Sequence, residues 1–91
     1  MNKQEALAKL HELQRTTACA DYIESVGWNS DIEPVERLAK QLDIYSGEVK
    51  KTITTIYDAI VSNYRGYRKG ITWADVYDLF RVMESAIEGM P

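Results

Sequence analysis

The residues best suited to bind a partner lie in one short stretch, residues 63–70, which reads NYRGYRKG. This basic stretch gathers two tyrosines and three cations inside a protein whose formal net charge is −3. Tyrosine and arginine are enriched at protein contact surfaces, and aromatic rings beside cations also stack on nucleic-acid bases. We predict that a partner is contacted here by Arg65, Tyr67, Arg68 and Lys69.

A second candidate surface is acidic and lies near the middle of the chain. Its carboxylates are Asp31, Glu33 and Glu36. An acidic face can engage a basic partner surface and speed its association. Because Glu33 and Glu36 also fall in the first turns of a predicted helix, where negative charge suits the helix dipole, a purely structural role is the alternative.

Two aromatic residues, Trp28 and Tyr45, lie at connections between predicted helices rather than on a helical stripe. Aromatic residues in such connections are common in protein contact surfaces. They also serve as local plugs over the end of a helical bundle. We include both among the candidate partner-binding residues and leave the plug interpretation open.

Catalytic and metal chemistry lack the residues that they need. His11 is the only histidine and Cys19 the only cysteine, and the two are eight residues apart. No HExxH, CxxC, calcium-loop or phosphate-loop spacing is present. We therefore predict that the protein is not an enzyme, with no catalytic residue, no metal site and no cofactor.

The length of 91 residues predicts one domain, residues 1–91, and its composition is that of an ordinary globular domain. The single cysteine fits a reducing compartment. The first residues, MNKQE, do not resemble a signal peptide, and no apolar run approaches the roughly 20 residues that span a bilayer. We expect a cytoplasmic protein.

Apolar residues recur at helical spacing almost throughout the chain. This periodicity predicts helices over residues 3–26, 31–42, 46 to 64 or 65, and 72–88. A capping box of Ser30 and Glu33 is expected to begin the second helix, with Pro34 in its first turn. Tyr57 on the third helix and Tyr77 on the fourth are expected to belong to the apolar stripes.

These elements predict an all-α fold, a small antiparallel four-helix bundle. Two amphipathic helices joined by a short loop usually lie antiparallel, so the third and fourth helices should form a C-terminal helical hairpin. The basic stretch is then the corner of that hairpin.

The carboxyl half resembles the small helical bacteriocin immunity proteins. The pattern consists of residues 59–64, the basic turn, and residues 72–87 with Tyr77 and Phe80. The resemblance implies a cytosolic antiparallel four-helix bundle of similar length. Those proteins are usually basic and this chain is acidic, so the chain is not assigned to the family.

These observations predict a small protein-binding module of inhibitor, immunity, adaptor or assembly type, whose partner protein is unidentified. The alternative is a nucleic-acid-binding regulatory protein that uses residues 64–69. Three cations neutralise only a few phosphates, and Asp75 and Asp78 would repel the backbone of a nucleic acid. Homo-oligomerisation through the wide apolar stripe of the first helix is a third possibility.

Overall fold

The computed structural model describes residues 1–18, 28–64 and 73–90. Four α-helices and one π-helical turn make up most of these segments. Within those segments there is no β-strand. The predicted all-α fold is therefore confirmed. In chain order the helices are α1 (Lys3–Ala18), α2 (Glu33–Gln41), α3 (Gly47–Tyr64) and α4 (Trp73–Glu88), with the π-helical turn Trp28–Ile32 before α2.

The helices α3 and α4 form the predicted antiparallel hairpin. Val49, near the start of α3, lies beside Val82 in the second half of α4, whereas Ile56 lies beside Asp75 near the start of α4. The helix α1 packs on α4, and Lys3 Nζ donates a hydrogen bond to the Glu88 carbonyl at 3.0 Å. The chain thus forms a small four-helix bundle.

All four helices contribute to one core. The buried apolar side chains are Ala6, Leu10, Ile32, Val35, Leu38, Ala39, Val49, Ile53, Ile56, Val76, Leu79, Phe80, Val82, Met83 and Ile87. Thr17 is the one buried polar residue among those described, and its hydroxyl donates to the Leu13 carbonyl at 3.1 Å. A hydroxyl that is bonded back into its own helix adds little cost to this core.

Two aromatic residues that the periodicity assigns to the core lie on the surface. Tyr57 is 45% exposed and Tyr77 is 55% exposed, so that prediction is wrong for both. Each tyrosine directly follows a buried residue, Ile56 or Val76, and is rotated by about 100° from it around the helix axis. On α4, Leu79 and Val82 are buried in the core instead.

The start of α2 also differs from the expected capping box. The N-cap residue is Ile32, with φ −97° and ψ −41°, and no side chain caps it. The π-helical turn runs straight into α2, so Ser30 is not the cap, although Pro34 does lie in the first turn. The helix α1 has a true reciprocal cap, in which Asn2 Oδ1 accepts from the Glu5 N–H at 2.8 Å and Asn2 Nδ2 donates to Glu5 Oε1 at 3.0 Å.

Other sequence predictions fall outside the described segments. One of these is the continuation of the first helix to residue 26. Among the described residues, no helix is both long and apolar enough to cross a membrane.

The glycine at the start of α3 is required by its backbone conformation. Gly47 has φ +55°, and an added Cβ would meet no atom within 4 Å. We expect Gly47→Ala to lower the free energy of unfolding by about 1–2 kcal/mol, because the left-handed conformation strains any residue with a Cβ. Urea denaturation followed by circular dichroism measures the change.

The matched control is Gly89→Ala at the end of α4. An added Cβ at Gly89 would make only ordinary contacts, of 3.5 Å and 3.6 Å, with carbonyls of the preceding turn. Its φ is not positive, so the change should stay within about 0.5 kcal/mol of the parent. Equal losses at both glycines would contradict the assigned role of Gly47.

Candidate functional site

The predicted contacts of the basic stretch lie outside the described residues. Arg65, Tyr67, Arg68 and Lys69 fall between Tyr64, the last residue of α3, and Trp73, the first residue of α4. Their role in binding stays a prediction.

The carboxylates of the acidic face are partly neutralised on their own helix. Glu33 Oε1 pairs with the Arg37 guanidinium at 3.0 Å, and Glu36 Oε1 pairs with Lys40 Nζ at 3.2 Å. Both pairs have the i,i+4 spacing with the acid nearer the N-terminus, the favourable order on a helix. Asp31 is half-buried. The surface of α2 therefore alternates in charge, although Glu33 and Glu36 were expected to act as an acidic patch.

Tyr45 closes over the end of α2 rather than projecting from it. Its side chain is half-buried and packs on the core. The Tyr45 hydroxyl lies 3.5 Å from Glu36 Oε2, and Lys40 Nζ lies 5.0 Å from the centroid of the Tyr45 ring. The ring and the hydroxyl of Tyr45 thus contact both members of the Glu36–Lys40 ion pair, which supports the plug interpretation of Tyr45.

Trp28, the first residue of the π-helical turn before α2, makes contacts of a similar kind. It is half-buried against the core, and its ring meets the Tyr57 ring edge-on, with centroids 4.9 Å apart and planes at 75°. Edge-to-face packing is a preferred aromatic geometry. These contacts fit the plug interpretation of Trp28 as well, and the role of Trp28 and Tyr45 in binding a partner stays a prediction. The exposed aromatics of the described segments are the helical Tyr57 and Tyr77.

A cavity lies between the α2–α3 turn and the second half of α4. Its volume is about 530 Å³. The apolar residues Ile44, Val49, Val82 and Ala86 form its floor, and all four are buried or half-buried. The polar residues Asp43, Ser46, Glu48, Arg81 and Ser85 are exposed and form its rim.

A smaller cavity of about 200 Å³ continues along the same pair of helices. It shares Glu48 with the first cavity and is also lined by Lys51, Thr52, Thr55, Ile56, Asp75 and Asp78. We call the two together the α3–α4 groove. Because both cavities follow the seam of the hairpin, the groove is held by the same packing that builds the core.

The charges of the α3–α4 groove are unequal. Its lining contains four carboxylates, Asp43, Glu48, Asp75 and Asp78, against two cations, Lys51 and Arg81, for a net charge of −2. One of the cations is already engaged, since Arg81 Nε donates to Asp78 Oδ1 at 3.1 Å and the same guanidinium makes a second contact with that carboxylate. The groove therefore favours a positively charged group.

None of the three carboxylates predicted to contact a partner lines the groove. The residues that line it are distributed over the α2–α3 turn, α3 and α4, and their sequence spacing is not distinctive. The only local signal is the small size of Ser46, Ser85 and Ala86, which leaves space where two helices approach. That signal has meaning only once the pairing of the helices is known.

The described residues contain no group of three or more histidine, cysteine, aspartate or glutamate side chains arranged to hold a metal ion. The chemistry that the groove does offer is non-covalent, combining an apolar floor with carboxylate and hydroxyl acceptors at the rim. No family model, curated protein or solved structure matches this chain. The groove and its charges are thus the basis for any functional proposal.

Proposed function

We propose that this chain is a non-enzymatic module that binds another protein through the α3–α4 groove. The observation that carries the proposal is a cavity of about 530 Å³ with an apolar floor and a charged, net-negative lining along the groove. An inhibitor, an immunity protein and an adaptor all work by such binding. With one cysteine in the chain, the cytosol remains the compartment that we propose.

The groove has the dimensions and chemistry of a recognition site. Pockets that hold side chains or small ligands usually measure about 300–1,000 Å³ and combine an apolar lining with a few polar groups. The first cavity fits this description in volume, and its lining combines four apolar residues with five polar ones. A partner that covers the half-buried residues Ile44 and Ala86 would gain from the removal of apolar surface from water.

The shape of the groove is set before a partner arrives. Val49 and Val82 line the first cavity and are also members of the core. Their positions are therefore determined by the packing of the bundle. A preformed site loses less conformational entropy on binding, which favours tight association for a given contact area.

Nucleic acid is a poorer fit to this groove than protein. Phosphate groups would approach four carboxylates and only two cations, one of them paired. Neutralisation of phosphate charge supplies most of the affinity of nucleic-acid binders, and a net-negative lining opposes it. The basic stretch and the acidic face of α2 remain proposed secondary contacts of the protein partner.

The test compares two bulky substitutions on neighbouring exposed residues of α4. Ser85 lines the first cavity and Glu84 does not. We expect Ser85→Trp to reduce capture of the partner from the native host by about tenfold or more, because the indole fills the cavity, while Glu84→Trp retains it. The measurement is quantitative mass spectrometry of nuclease-treated captures, with circular dichroism confirming that both variants fold.

Three results would contradict the proposal. The first is a captured protein that both variants retain equally. The second is capture that nuclease treatment abolishes, which would indicate nucleic acid. The third is a stable homo-oligomer in light scattering that Ser85→Trp dissociates, which would indicate that the groove binds a second copy of the chain.

A further inference from the structure

The proposed protein-binding function can be carried one step further, to the chemistry of the group that enters the first cavity. We infer that this group is a lysine or arginine side chain, presented beside an apolar residue on the partner protein. The inference rests on the proposed function. Its evidence is the position and the pairing of two carboxylates, Asp43 and Glu48.

Asp43 and Glu48 are exposed at the rim of the first cavity. Within residues 1–18, 28–64 and 73–90, neither carboxylate forms an ion pair. Glu33, Glu36 and Asp78 differ from them, since each pairs with a cation three or four residues away. The first cavity therefore has negative charge that the described part of the chain does not neutralise.

The two carboxylates are placed by the backbone of the turn between α2 and α3. Asp43 adopts a left-handed conformation with φ 58°, which aspartate tolerates better than most residues. Glu48 follows Gly47, which is the first residue of α3 and has a φ of +55°. The turn thus brings two acids, five residues apart in sequence, to the rim of one cavity.

The floor of the cavity favours a long aliphatic stem below that charge. Ile44, Val49, Val82 and Ala86 supply apolar surface next to the two carboxylates. Lysine and arginine bury their methylene groups along apolar surface while the charged end stays near water or an acceptor. A basic side chain would contact the floor and the carboxylates simultaneously, which neither a purely apolar nor a purely ionic group could do.

Other classes of ligand are less complementary to the charge and the apolar floor of this cavity. A phosphate or carboxylate would be repelled by Asp43 and Glu48. A neutral apolar side chain would cover the floor but desolvate the two carboxylates without giving them a partner, which costs free energy. Arg81 on the opposite wall does not exclude a second cation, because its guanidinium is held by Asp78.

The test is an NMR titration of the ¹⁵N-labelled full chain with a capped tripeptide, acetyl-Leu-Lys-Leu-amide. A companion peptide with norleucine in place of lysine keeps the stem and removes the charge. We expect the lysine peptide to shift the amides of residues 43–49 and 81–86. The norleucine peptide should bind about tenfold more weakly, since it loses its ion pairs with both carboxylates.

The matched variants are the double substitution Asp43→Asn with Glu48→Gln, and the control Glu84→Gln. Asparagine tolerates the left-handed conformation of residue 43, so the turn is retained. The double variant should weaken binding of the lysine peptide by about tenfold or more, whereas Glu84→Gln should leave it within about twofold, because Glu84 does not line the cavity.

Four outcomes would overturn the inference. They are equal affinity for the two peptides, equal affinity of the parent and the double variant, shifts centred outside the groove, and no saturable binding of the lysine peptide. If the peptide fails to bind while Ser85→Trp still abolishes capture of a partner protein, the proposed function survives and this inference does not. If the peptide binds as expected but no protein depends on Ser85, the proposed function fails.

Discussion

Leu79→Ala is expected to lower the free energy of unfolding by about 2–5 kcal/mol, the range found for leucine truncation inside a packed core. Leu79 on α4 is completely buried. Tyr77→Ala, two residues earlier on the same helix, should cost less than about 1 kcal/mol, because most of the Tyr77 side chain already contacts water. Guanidinium denaturation of the two variants, followed by circular dichroism, measures both quantities.

This pair of substitutions distinguishes the packing in the structure from the packing that apolar periodicity predicts. The periodic pattern places Tyr77 in the core and does not select Leu79. A larger loss for Tyr77→Ala than for Leu79→Ala would mean that α4 is rotated about its axis relative to the arrangement described above. Such a rotation would also displace Val82 from the floor of the α3–α4 groove and remove the basis of the proposed function.

Trp28→Ala should also be strongly destabilising, by about 2–3 kcal/mol. Fully buried tryptophan residues usually cost roughly 3–5 kcal/mol when they are truncated to alanine, and Trp28 is only half-buried. The loss reflects its packing against the core and its edge-to-face contact with Tyr57. Guanidinium denaturation followed by circular dichroism also measures this loss of unfolding free energy.

A double-mutant cycle isolates the contact between the two rings. Single and combined substitutions of Trp28 and Tyr57 by alanine should give a coupling free energy of about 0.5–1.5 kcal/mol, the usual range for an aromatic pair. Strict additivity would show that Trp28 stabilises the bundle without Tyr57. A loss for Trp28→Ala below about 0.5 kcal/mol, a typical surface value, would instead return Trp28 to the candidate contact residues.

The roles of the aromatic residues explain why composition is a poor guide to the contact surface of this protein. Trp28 and Tyr45 occupy connections, where a side chain can fold back over the end of the bundle. Tyr57 and Tyr77 occupy helices, where the direction of the side chain is imposed by the helix. A residue next to a buried neighbour is rotated by about 100° around the helix, and the packing of the other helices decides whether it is covered, as Leu79 beside Phe80 is, or exposed, as Tyr77 beside Val76 is.

The sequence by itself determined the helical class of the fold and the approximate bounds of its elements. Helical periodicity is a local property, and it predicted the starts of α3 and α4 to within one residue. The residues at helical spacing include Val49, Ile53 and Ile56 on α3 and Val76, Phe80, Met83 and Ile87 on α4, all of which are buried. These residues lie at the centre of their stripes, where a small error in the orientation of a helix changes nothing.

Only the tertiary structure decided the residues at the edges of those stripes. Tyr77 and Leu79 flank the stripe of α4 on opposite sides, and the position of the neighbouring helices determines which side is covered. The charges of Glu33 and Glu36 are a different case, because their i,i+4 partners lie on the same helix and are readable in the sequence. Their carboxylates looked like an acidic face in sequence, but Arg37 and Lys40 lie one turn further along and fold back onto them.

The α3–α4 groove exists only in the tertiary structure and has no counterpart in the local sequence. The residues that line its first cavity are drawn from two segments, 43–49 and 81–86, which are separated by more than thirty positions in sequence. Small side chains, and carboxylates that have no ion pair within the described segments, are each common in a sequence, and they form a site only where two helices and a turn meet. Local sequence determines which surface a helix could bury, whereas the packing of the whole chain determines which surface it leaves open.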